Sequence, residues 1–284
     1  MTIRLGTSDY GVTGVRLLRV TRQEGRHDVK ETQYSIRFEG DFQAALSQGE
    51  NRRILPPDTI KNTVYALSRQ YPVESAEDFA LHLIEHFLTY NRQVTVVHVE
   101  AVEDAWARIQ QGGKPSAHSF VRSNAELRTA RLTGESEETT VRAGVENLAL
   151  LKTAKASFEG YLRDPYTTLK DVRDGILSAS IRADWLYESG VSDFAPLWHG
   201  VRQALVESFA EHESRSLQHT MHMMAEAVLG NFDRIQEIHL ELRQNAYDPV
   251  DLSPFGMDNP AEVFLPAEEP SGVAQVTLRR EEAV

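Results

Sequence analysis

Two histidines at metal-ligand spacing are the first residues in the chain that could support chemistry. The run His82-Leu83-Ile84-Glu85-His86 matches H-x-x-E-H, an inverted zinc-protease pattern. On a helix this spacing would place His82 and His86 on one face, where both imidazoles could bind zinc. No third ligand is apparent in the sequence. An amphipathic helix with histidines beside its apolar stripe is therefore the favoured interpretation.

A second group of histidines consists of His212, His219 and His222, of which the last two are spaced to share a helix face. Ordinary surface or interface histidines are again the favoured interpretation. The chain has no cysteine, which excludes disulfides, thiolate zinc sites and cysteine nucleophiles. It also has no P-loop, no dinucleotide-binding glycine pattern and no G-x-S-x-G motif. The sequence therefore contains none of these metal- or cofactor-binding motifs.

The charge of the chain argues against nucleic acid as a partner. The sequence has 30 basic and 42 acidic side chains, which gives a net charge of -12. Nucleic-acid binding needs a positive patch, and none is visible. No segment reaches the about 18 uninterrupted apolar residues of a membrane-spanning helix. With 41% hydrophobic and 25% charged residues, the 284-residue chain resembles a soluble protein of one or two domains.

The two ends of the sequence suggest a location. Met1–Leu5 lacks the apolar core of a signal peptide. The last residues, Glu281–Val284, do not resemble the Ser-Lys-Leu peroxisomal signal. Because the chain also lacks cysteine, we expect it in the cytoplasm.

Strand and helix signals indicate where these residues are held. The run Ile238–Leu242 alternates apolar and polar residues, as a half-buried antiparallel strand does. Ser75 and Asp78 form a capping box in front of an apolar stripe, which predicts a helix. A second stripe, from Leu217 to Val228, predicts another helix.

The predicted elements form two consecutive units of the order strand-strand-helix-helix-strand-strand. In the first unit, two opening strands precede helices near 58–71 and 75–90 and strands near 92–101 and 118–133. In the second unit, strands near 145–159 and 180–188 precede helices near 194–210 and 214–230 and strands near 235–243 and 273–280. We predict a duplicated α+β protein with domains 1–138 and 139–284, each burying one face of an antiparallel sheet under two helices. The part from about residue 266 is expected to be flexible.

Several segments together resemble the urate oxidases (uricases), in the family's order, over roughly residues 8 to 253. The segments are Tyr10-Gly11, Val15-Arg16, Phe38–Phe42, Asp58–Ala66, Phe79-Ala80, His86–Leu88, Trp106–Ile109, Gly112–Pro115, His118–Phe120, Phe158–Leu169 and Leu217–Met221. Each segment alone is weak evidence, but their shared order is specific.

The resemblance implies a fold, an assembly and an activity. Urate oxidases contain two tandem tunnelling-fold (T-fold) domains. Four subunits form a barrel with a central tunnel, and the active sites lie at subunit interfaces. The enzymes oxidise urate without a metal or an organic cofactor. By resemblance, this chain is expected to form a homotetramer, to bind a small planar heterocycle and to act in purine metabolism.

The resemblance also assigns ring-binding residues that are present in this chain. The family's stacking phenylalanine corresponds to Phe158, whose flat face suits a planar ring. The clamp glutamine corresponds to Gln218, whose amide can pair with donor and acceptor edges of a purine. Leu217 is the aliphatic residue before it. Asp58 corresponds to an aspartate that reaches the neighbouring subunit's site through its backbone.

The positions that carry charge or protons in the family are changed. The relay lysine falls at Val12, the relay threonine at Pro57 and the nearby histidine at Ala246. The clamp arginine falls at Gly175. The catalytic residues of this chain therefore remain unassigned, because the family's relay positions hold no proton-transfer group.

The position of the family's asparagine, which holds oxygen or water above the ring, depends on the alignment of one strand. Counting back from Asp251-Leu252-Ser253 places Gln244 at this position. A shift of one residue would place Asn245 there instead.

These losses are large enough to affect the chemistry. Losing one positioned stabilising donor typically costs about 10²–10³ in rate, and general acid–base help contributes about 10²–10⁴. Arg173, Lys61, Lys152 and Lys155 lie near the site segments in sequence and are candidate replacements. Solvated surface charge is the favoured interpretation of all of them.

Three hypotheses follow for the function. The first is an enzyme of urate oxidase type with altered chemistry, which oxidises a planar urate-like or purine-like ring without a cofactor. The second is a catalytically inactive homologue, either a structural partner in a mixed oligomer with an active paralogue or a ligand-binding protein. The third is genuine urate oxidation through substitute residues.

Overall fold

A computed structural model describes residues 5–136 and 138–281, without the side chains of 124 and 268–271. The outermost residues of both sequence ends, on which the expected location partly rests, lie outside this range, as do some side chains of the segment expected to be flexible. The chain divides into two compact units. One comprises the chain up to Gly144 together with Leu186–Trp198, and the other comprises Val145–Trp185 and the chain from His199 onward. No helix in the described ranges has the length and apolar character to cross a membrane.

The first unit contains an antiparallel sheet whose strands are neighbours in chain order. The strands are β1 (Tyr10–Gln23), β2 (Arg26–Gly40), β3 (Val94–Gln111) and β4 (Lys114–Gly134). In β2 the alternate residues Tyr34, Ile36 and Phe38 are fully buried, while the residues between them are more exposed. This period of two shows that one face of the sheet forms the core.

Helices cover that face in the first unit. They are α2 (Pro57–Gln70) and α3 (Ala76–Tyr90); the short helix α1 (Gln43–Gln48) precedes them and buries no residue. The predicted cap of α3 is confirmed, because the Asp78 N–H donates to the Ser75 hydroxyl at 3.0 Å. The apolar stripe behind the cap is buried at Phe79, Leu83 and Phe87.

The second unit repeats the order of elements. Its strands are β5 (Thr139–Lys152), β6 (Leu177–Tyr187), β7 (Ile235–Pro249) and β8 (Phe264–Arg279), and its helices are α4 (Phe194–Glu211) and α5 (Leu217–Asn231). The boundary between the compact units does not follow this repeat throughout. The first residues of β5, the end of β6 and the start of α4 belong to the compact unit that contains β1 to β4. The alternation predicted for β7 is confirmed, since Ile238, Leu240 and Leu242 are fully buried. The duplicated strand and helix order is therefore present.

Two strand predictions are corrected. The strand predicted over 145–159 ends at Lys152, and the chain from 153 to 176 is largely irregular. In this irregular stretch Lys155 and Gly160 adopt positive φ angles of 59° and 71°, outside the extended region typical of strands. At the other end of the chain, β8 begins at Phe264, before the strand predicted over 273–280.

Candidate functional site

Phe158 lies in the irregular segment between β5 and β6, where two backbone hydrogen bonds hold it. The Phe158 N–H donates to the Val172 carbonyl at 2.7 Å, and the Val172 N–H donates to the Phe158 carbonyl at 3.0 Å. Just beyond, the Gly175 N–H donates to the Ala156 carbonyl at 2.8 Å. The chain between these residues therefore forms a closed loop. The Phe158 ring lies at the base of this loop and is 38% exposed.

The same segment is joined to the residues that lead into α5. The Ser157 N–H donates to the Ser214 carbonyl at 2.8 Å, and the Ser214 N–H donates to the Lys155 carbonyl at 2.9 Å. These bonds make a short parallel bridge. Phe158 therefore follows directly on a stretch that is fixed against the start of α5.

The first turn of α5 carries the other predicted ring-binding residues. The Ser216 hydroxyl caps the helix by accepting the His219 N–H at 3.0 Å. Leu217 is half-buried and Gln218 is exposed. The Gln218 amide is thus available to a ligand and has no role in the core.

Gly175, at the position of the family's arginine, has little space for a side chain. A Cβ atom there would lie 2.7 Å from the Val172 Cγ1 atom, closer than real contacts allow. Any residue other than glycine therefore requires Val172 to move. The structure brings Gly175 to the Phe158 segment, but it supplies no positive charge at this point.

In β7, the two residues that could replace the family's asparagine have different surroundings. The Asn245 amide donates to the Ser178 hydroxyl at 3.4 Å. Gln244 pairs in register with Gly272 and makes no side-chain hydrogen bond to the described residues. The pairing shifts register on both sides of Asn245. Ala246 is half-buried and contributes only a methyl group.

In the first unit, Val12 belongs to the apolar packing. It pairs with Ile36 in the β1–β2 ladder and packs against the core. Nearby, the Tyr10 hydroxyl accepts the Leu55 N–H at 2.8 Å. This bond joins the strand that carries Val12 to the segment that leads into Pro57.

Pro57 and Asp58 form the first turn of α2. Pro57 occupies the first helical position, where the missing N–H costs no helical hydrogen bond. The Asp58 carboxylate pairs with the Lys61 ammonium at 3.0 Å and accepts the Asn62 amide at 3.0 Å. The hydrogen bond from Lys61 holds the pKa of Asp58 below its usual range, and the positive charge of Lys61 acts in the same direction. Lys61 is therefore occupied by its neighbour on the helix.

Two of the other candidate cations also have partners. Arg173 is mostly exposed and lies 3.7 Å from the Glu159 carboxylate. The Lys152 ammonium donates to the His212 carbonyl at 2.6 Å and to the Phe209 carbonyl at 3.3 Å, which closes the end of α4. Burial lowers the pKa of Lys152, and the charge of Lys155 lowers it further.

The H-x-x-E-H histidines of α3 contact aromatic rings. His82 stacks on Tyr71 with ring centroids 4.2 Å apart, and His86 lies 4.8 Å from the Tyr90 ring. Burial lowers the pKa of His86. Across residues 5–136 and 138–281, no group of three or more histidine, aspartate or glutamate side chains could hold a metal ion.

Two histidines of the second group meet beside α5. The His212 and His219 rings lie 4.5 Å apart and nearly perpendicular. The His212 Nε2 and His219 Nδ1 atoms are buried without a hydrogen-bond partner among the described residues. Burial lowers the pKa of His212, and the neighbouring His219 adds to this effect. His222 is exposed and does not take part in this contact.

The predicted residues fall into two parts. We call Phe158, Gly175, Leu217 and Gln218 the ring-binding part, and Val12 and Pro57 the relay part. Asp58, predicted to reach a neighbouring subunit's site, directly follows Pro57 on α2. Backbone hydrogen bonds join Gly175 to Ala156 and Phe158 to Val172. Together with the Ser214 bridge, they connect the segments that carry the ring-binding part. Sequence reasoning missed Val172, which blocks Gly175, and Tyr161, which stacks on Phe158. The F-x-x-Y spacing was the only signal for Tyr161.

Comparison with known proteins gives one consistent result. The uricase family model matches residues 8–133 and 141–275. A uricase from Arthrobacter globiformis is 39% identical over 98% of this chain and 90% of its own length. A uricase from Aspergillus flavus is 33% identical over 95% of each chain.

Solved structures agree with the sequence comparison. The crystal structure of the Arthrobacter globiformis uricase matches with a TM-score of 0.94 at 38% identity, over 100% of this chain and 97% of that one. A uricase from Bacillus fastidious, at 21% identity, shares the fold with a TM-score of 0.83 over 96% of this chain and 94% of its own. The predicted α+β T-fold, with helices on one face of antiparallel sheets, is confirmed. The chain belongs to the uricase family.

Proposed function

We propose that this chain is a cofactor-independent oxidoreductase of uricase type, acting with altered chemistry on a planar urate-like or purine-like ring. The observation that carries the proposal is the exposure of the two main side chains of the ring-binding part. Phe158 and Gln218 are both accessible, and both are held by backbone bonds around the Ser214 bridge. A stacking face and an amide edge are the groups that orient a planar heterocycle.

The residues at the relay positions favour altered chemistry over the family reaction. Val12, Pro57 and Ala246 have no group that can accept or release a proton. In an oxidation by dioxygen, two electrons and two protons leave the ring and reduce oxygen to hydrogen peroxide. Here those protons would pass through solvent or through the ligand itself. We therefore expect slow turnover of urate compared with an active uricase.

The missing arginine favours a neutral ligand. Gly175 offers no charge, and Arg173 lies beside Glu159. A charged hydrogen bond contributes roughly 1.5–3 kcal/mol, so an anion such as urate loses this contribution here. A neutral purine-type ring with donor and acceptor edges loses much less.

A second candidate function is that of an inactive homologue, which binds a ring or completes a mixed oligomer with an active paralogue. It is favoured by the packing of Val12 in the core, where a side chain of the relay would ordinarily be needed. Urate oxidation through substitute residues ranks third, because Lys61, Lys152 and Arg173 each have a partner.

The assembly, location and boundaries belong to the same proposal. We propose a homotetramer with a central tunnel, active sites at subunit interfaces, domains 1–138 and 139–284, and a cytoplasmic location. The similarity to uricases over nearly the whole chain supports the assembly.

The first experiment compares the purified protein with the Arthrobacter globiformis uricase. Urate absorbance and oxygen consumption are followed together in air, at equal enzyme concentrations. We expect at most slow turnover by this chain. Turnover equal to that of the control would contradict altered chemistry and would favour urate oxidation through substitute residues.

A binding screen separates the first two candidates. The urate anion and neutral purines such as xanthine are titrated spectroscopically, and oxygen consumption is measured with each ring that binds. Binding with oxygen consumption supports the enzyme. Binding without it supports the ligand-binding homologue. No binding of any ring contradicts both of these and favours the structural partner of an active paralogue.

A further inference from the structure

A second aromatic ring lies against Phe158. The Tyr161 and Phe158 ring centroids are 4.9 Å apart, and the ring planes differ by only 8°. This is an offset parallel stack, one of the two arrangements that aromatic pairs favour. Gly160 makes the contact possible, because its φ angle of 71° turns the chain between the two rings.

A cation adds a third layer. The Arg163 guanidinium lies over the Tyr161 ring, 4.9 Å from the centroid. Its orientation is fixed by an ion pair with Asp171 at 2.9 Å. Tyr161 therefore contacts both the Phe158 ring and the Arg163 guanidinium. A guanidinium over an aromatic face is attracted by the negative charge of that face.

Tyr161 is a fixed layer and not a movable cover. Its hydroxyl donates to the Leu169 carbonyl at 2.5 Å, across the loop that Phe158 and Val172 close. Arg163 also reaches the same hydroxyl, at 3.4 Å. Tyr161 is half-buried although it lies in an irregular segment. These contacts hold the phenol whether or not a ligand is present.

We propose that Tyr161 and Arg163 are positioning residues for ring binding, which act through Phe158. They cover one face of the Phe158 ring, so a planar ligand has only the other face available. The Arg163 guanidinium polarises the two stacked rings towards itself. The Phe158 face that points away from Tyr161 then favours an electron-rich ring. The inference rests on the proposed function, since it assumes that Phe158 stacks on a planar heterocycle.

Three substitutions test the stack. Tyr161→Leu removes the second layer and keeps an apolar side chain. Tyr161→Phe keeps the ring and removes only the hydroxyl, with its bonds to Leu169 and Arg163, so it serves as the conservative control. Arg163→Gln removes the charge and keeps a polar side chain of similar length. Thermal unfolding of each variant shows whether the loop change has affected the fold.

The measurement is a spectroscopic titration with xanthine and with urate. Stacking on Phe158 lowers and red-shifts the absorption of the bound ring, a signal that a purely structural role would not change. We expect Tyr161→Leu to weaken binding about 3- to 10-fold and to reduce this spectral change. Arg163→Gln should weaken it about 2- to 5-fold. Tyr161→Phe should stay within about twofold of the wild type, since it retains the stack.

The outcomes separate this inference from the proposed function. If the wild type binds a ring and Tyr161→Leu binds it equally well, the positioning role is wrong and the proposed function stands. If Tyr161→Leu binds more tightly, Tyr161 occupies the ligand's place, and the inference is also wrong. If the wild type binds no ring, the proposed function and the positioning role fail together.

Discussion

The ring-binding part and the relay part of the predicted site differ in what their residues do for the fold. In the relay part, Val12 packs against the core and Pro57 begins a helix. In the ring-binding part, Phe158 and Gln218 are exposed and support no core. The residues of the relay part therefore have structural roles. The ring-binding part keeps side chains whose most evident use is to contact something outside the chain.

The charged side chains near each part form ion pairs with neighbouring residues. Asp58 and Lys61 neutralise each other within one helix turn. Around Phe158, the charges of Arg163 and Arg173 are paired with Asp171 and Glu159. Neither arrangement places a free cation at Gly175.

The largest expected effect is on ring binding. Phe158→Ala should weaken binding of the best purine ligand about 5- to 150-fold, because base–aromatic stacking contributes about 1–3 kcal/mol. Phe255→Ala is the matched control, since Phe255 is 71% exposed and lies in another segment of the chain. Spectroscopic titration measures both. Equal binding by the two variants would show that Phe158 does not contact the ligand.

The next effect concerns the blocked arginine position. Gly175→Arg should lower the free energy of unfolding by about 1–3 kcal/mol, because its Cβ would crowd Val172. Adding Val172→Ala should restore most of this stability and strengthen urate binding about 10-fold or more through a charged hydrogen bond.

Chemical unfolding and urate titration measure the two effects, with Val172→Ala alone as the control. Wild-type stability of the single variant Gly175→Arg would show that Val172 is not the obstacle. An unchanged affinity for urate in the double variant would show that this position no longer faces the ligand.

Removing one serine helix cap in each unit allows a direct comparison of the two units. Ser75→Ala and Ser216→Ala each remove a hydroxyl that accepts a backbone N–H at 3.0 Å. Each should cost about 1 kcal/mol of stability. Only Ser216→Ala should weaken ring binding, because it loosens the turn that carries Gln218. A similar loss of binding in both variants would point to general destabilisation.

The smallest expected effect is a dependence on pH. Burial lowers the pKa of His212, so the unfolded chain takes up the proton more readily than the folded chain. Stability should therefore fall as pH drops below about 6.5, the unperturbed value for histidine. The groups that act on this imidazole are His219, Lys152, Glu213 and Arg215.

Melting temperatures between pH 7 and pH 5 test this dependence. His212→Gln should flatten the profile, whereas His222→Gln, at an exposed position of α5, should leave it as in the wild type. A profile that is equally steep in His212→Gln would mean that another group is responsible.

Much of the fold could be predicted from local patterns. The alternation in β7 and the Ser75 cap of α3 are confirmed because both depend on residues close together in the chain. The end of β5 could not be predicted. The residues after Lys152 continue an alternating strand pattern, but the chain leaves the ladder there and bonds instead to Ser214 and Val172.

By itself, the sequence determined the family and the duplicated α+β order, and it predicted which residues lie at the family's site positions. These follow from residue type and order, which need no coordinates. Only the tertiary structure decided that Tyr161 stacks on Phe158, that Val172 blocks Gly175 and that His212 meets His219. Each of these contacts depends on a turn or a bridge that brings the chain back on itself. Such returns are set by φ angles and backbone hydrogen bonds, which no local pattern of side chains specifies.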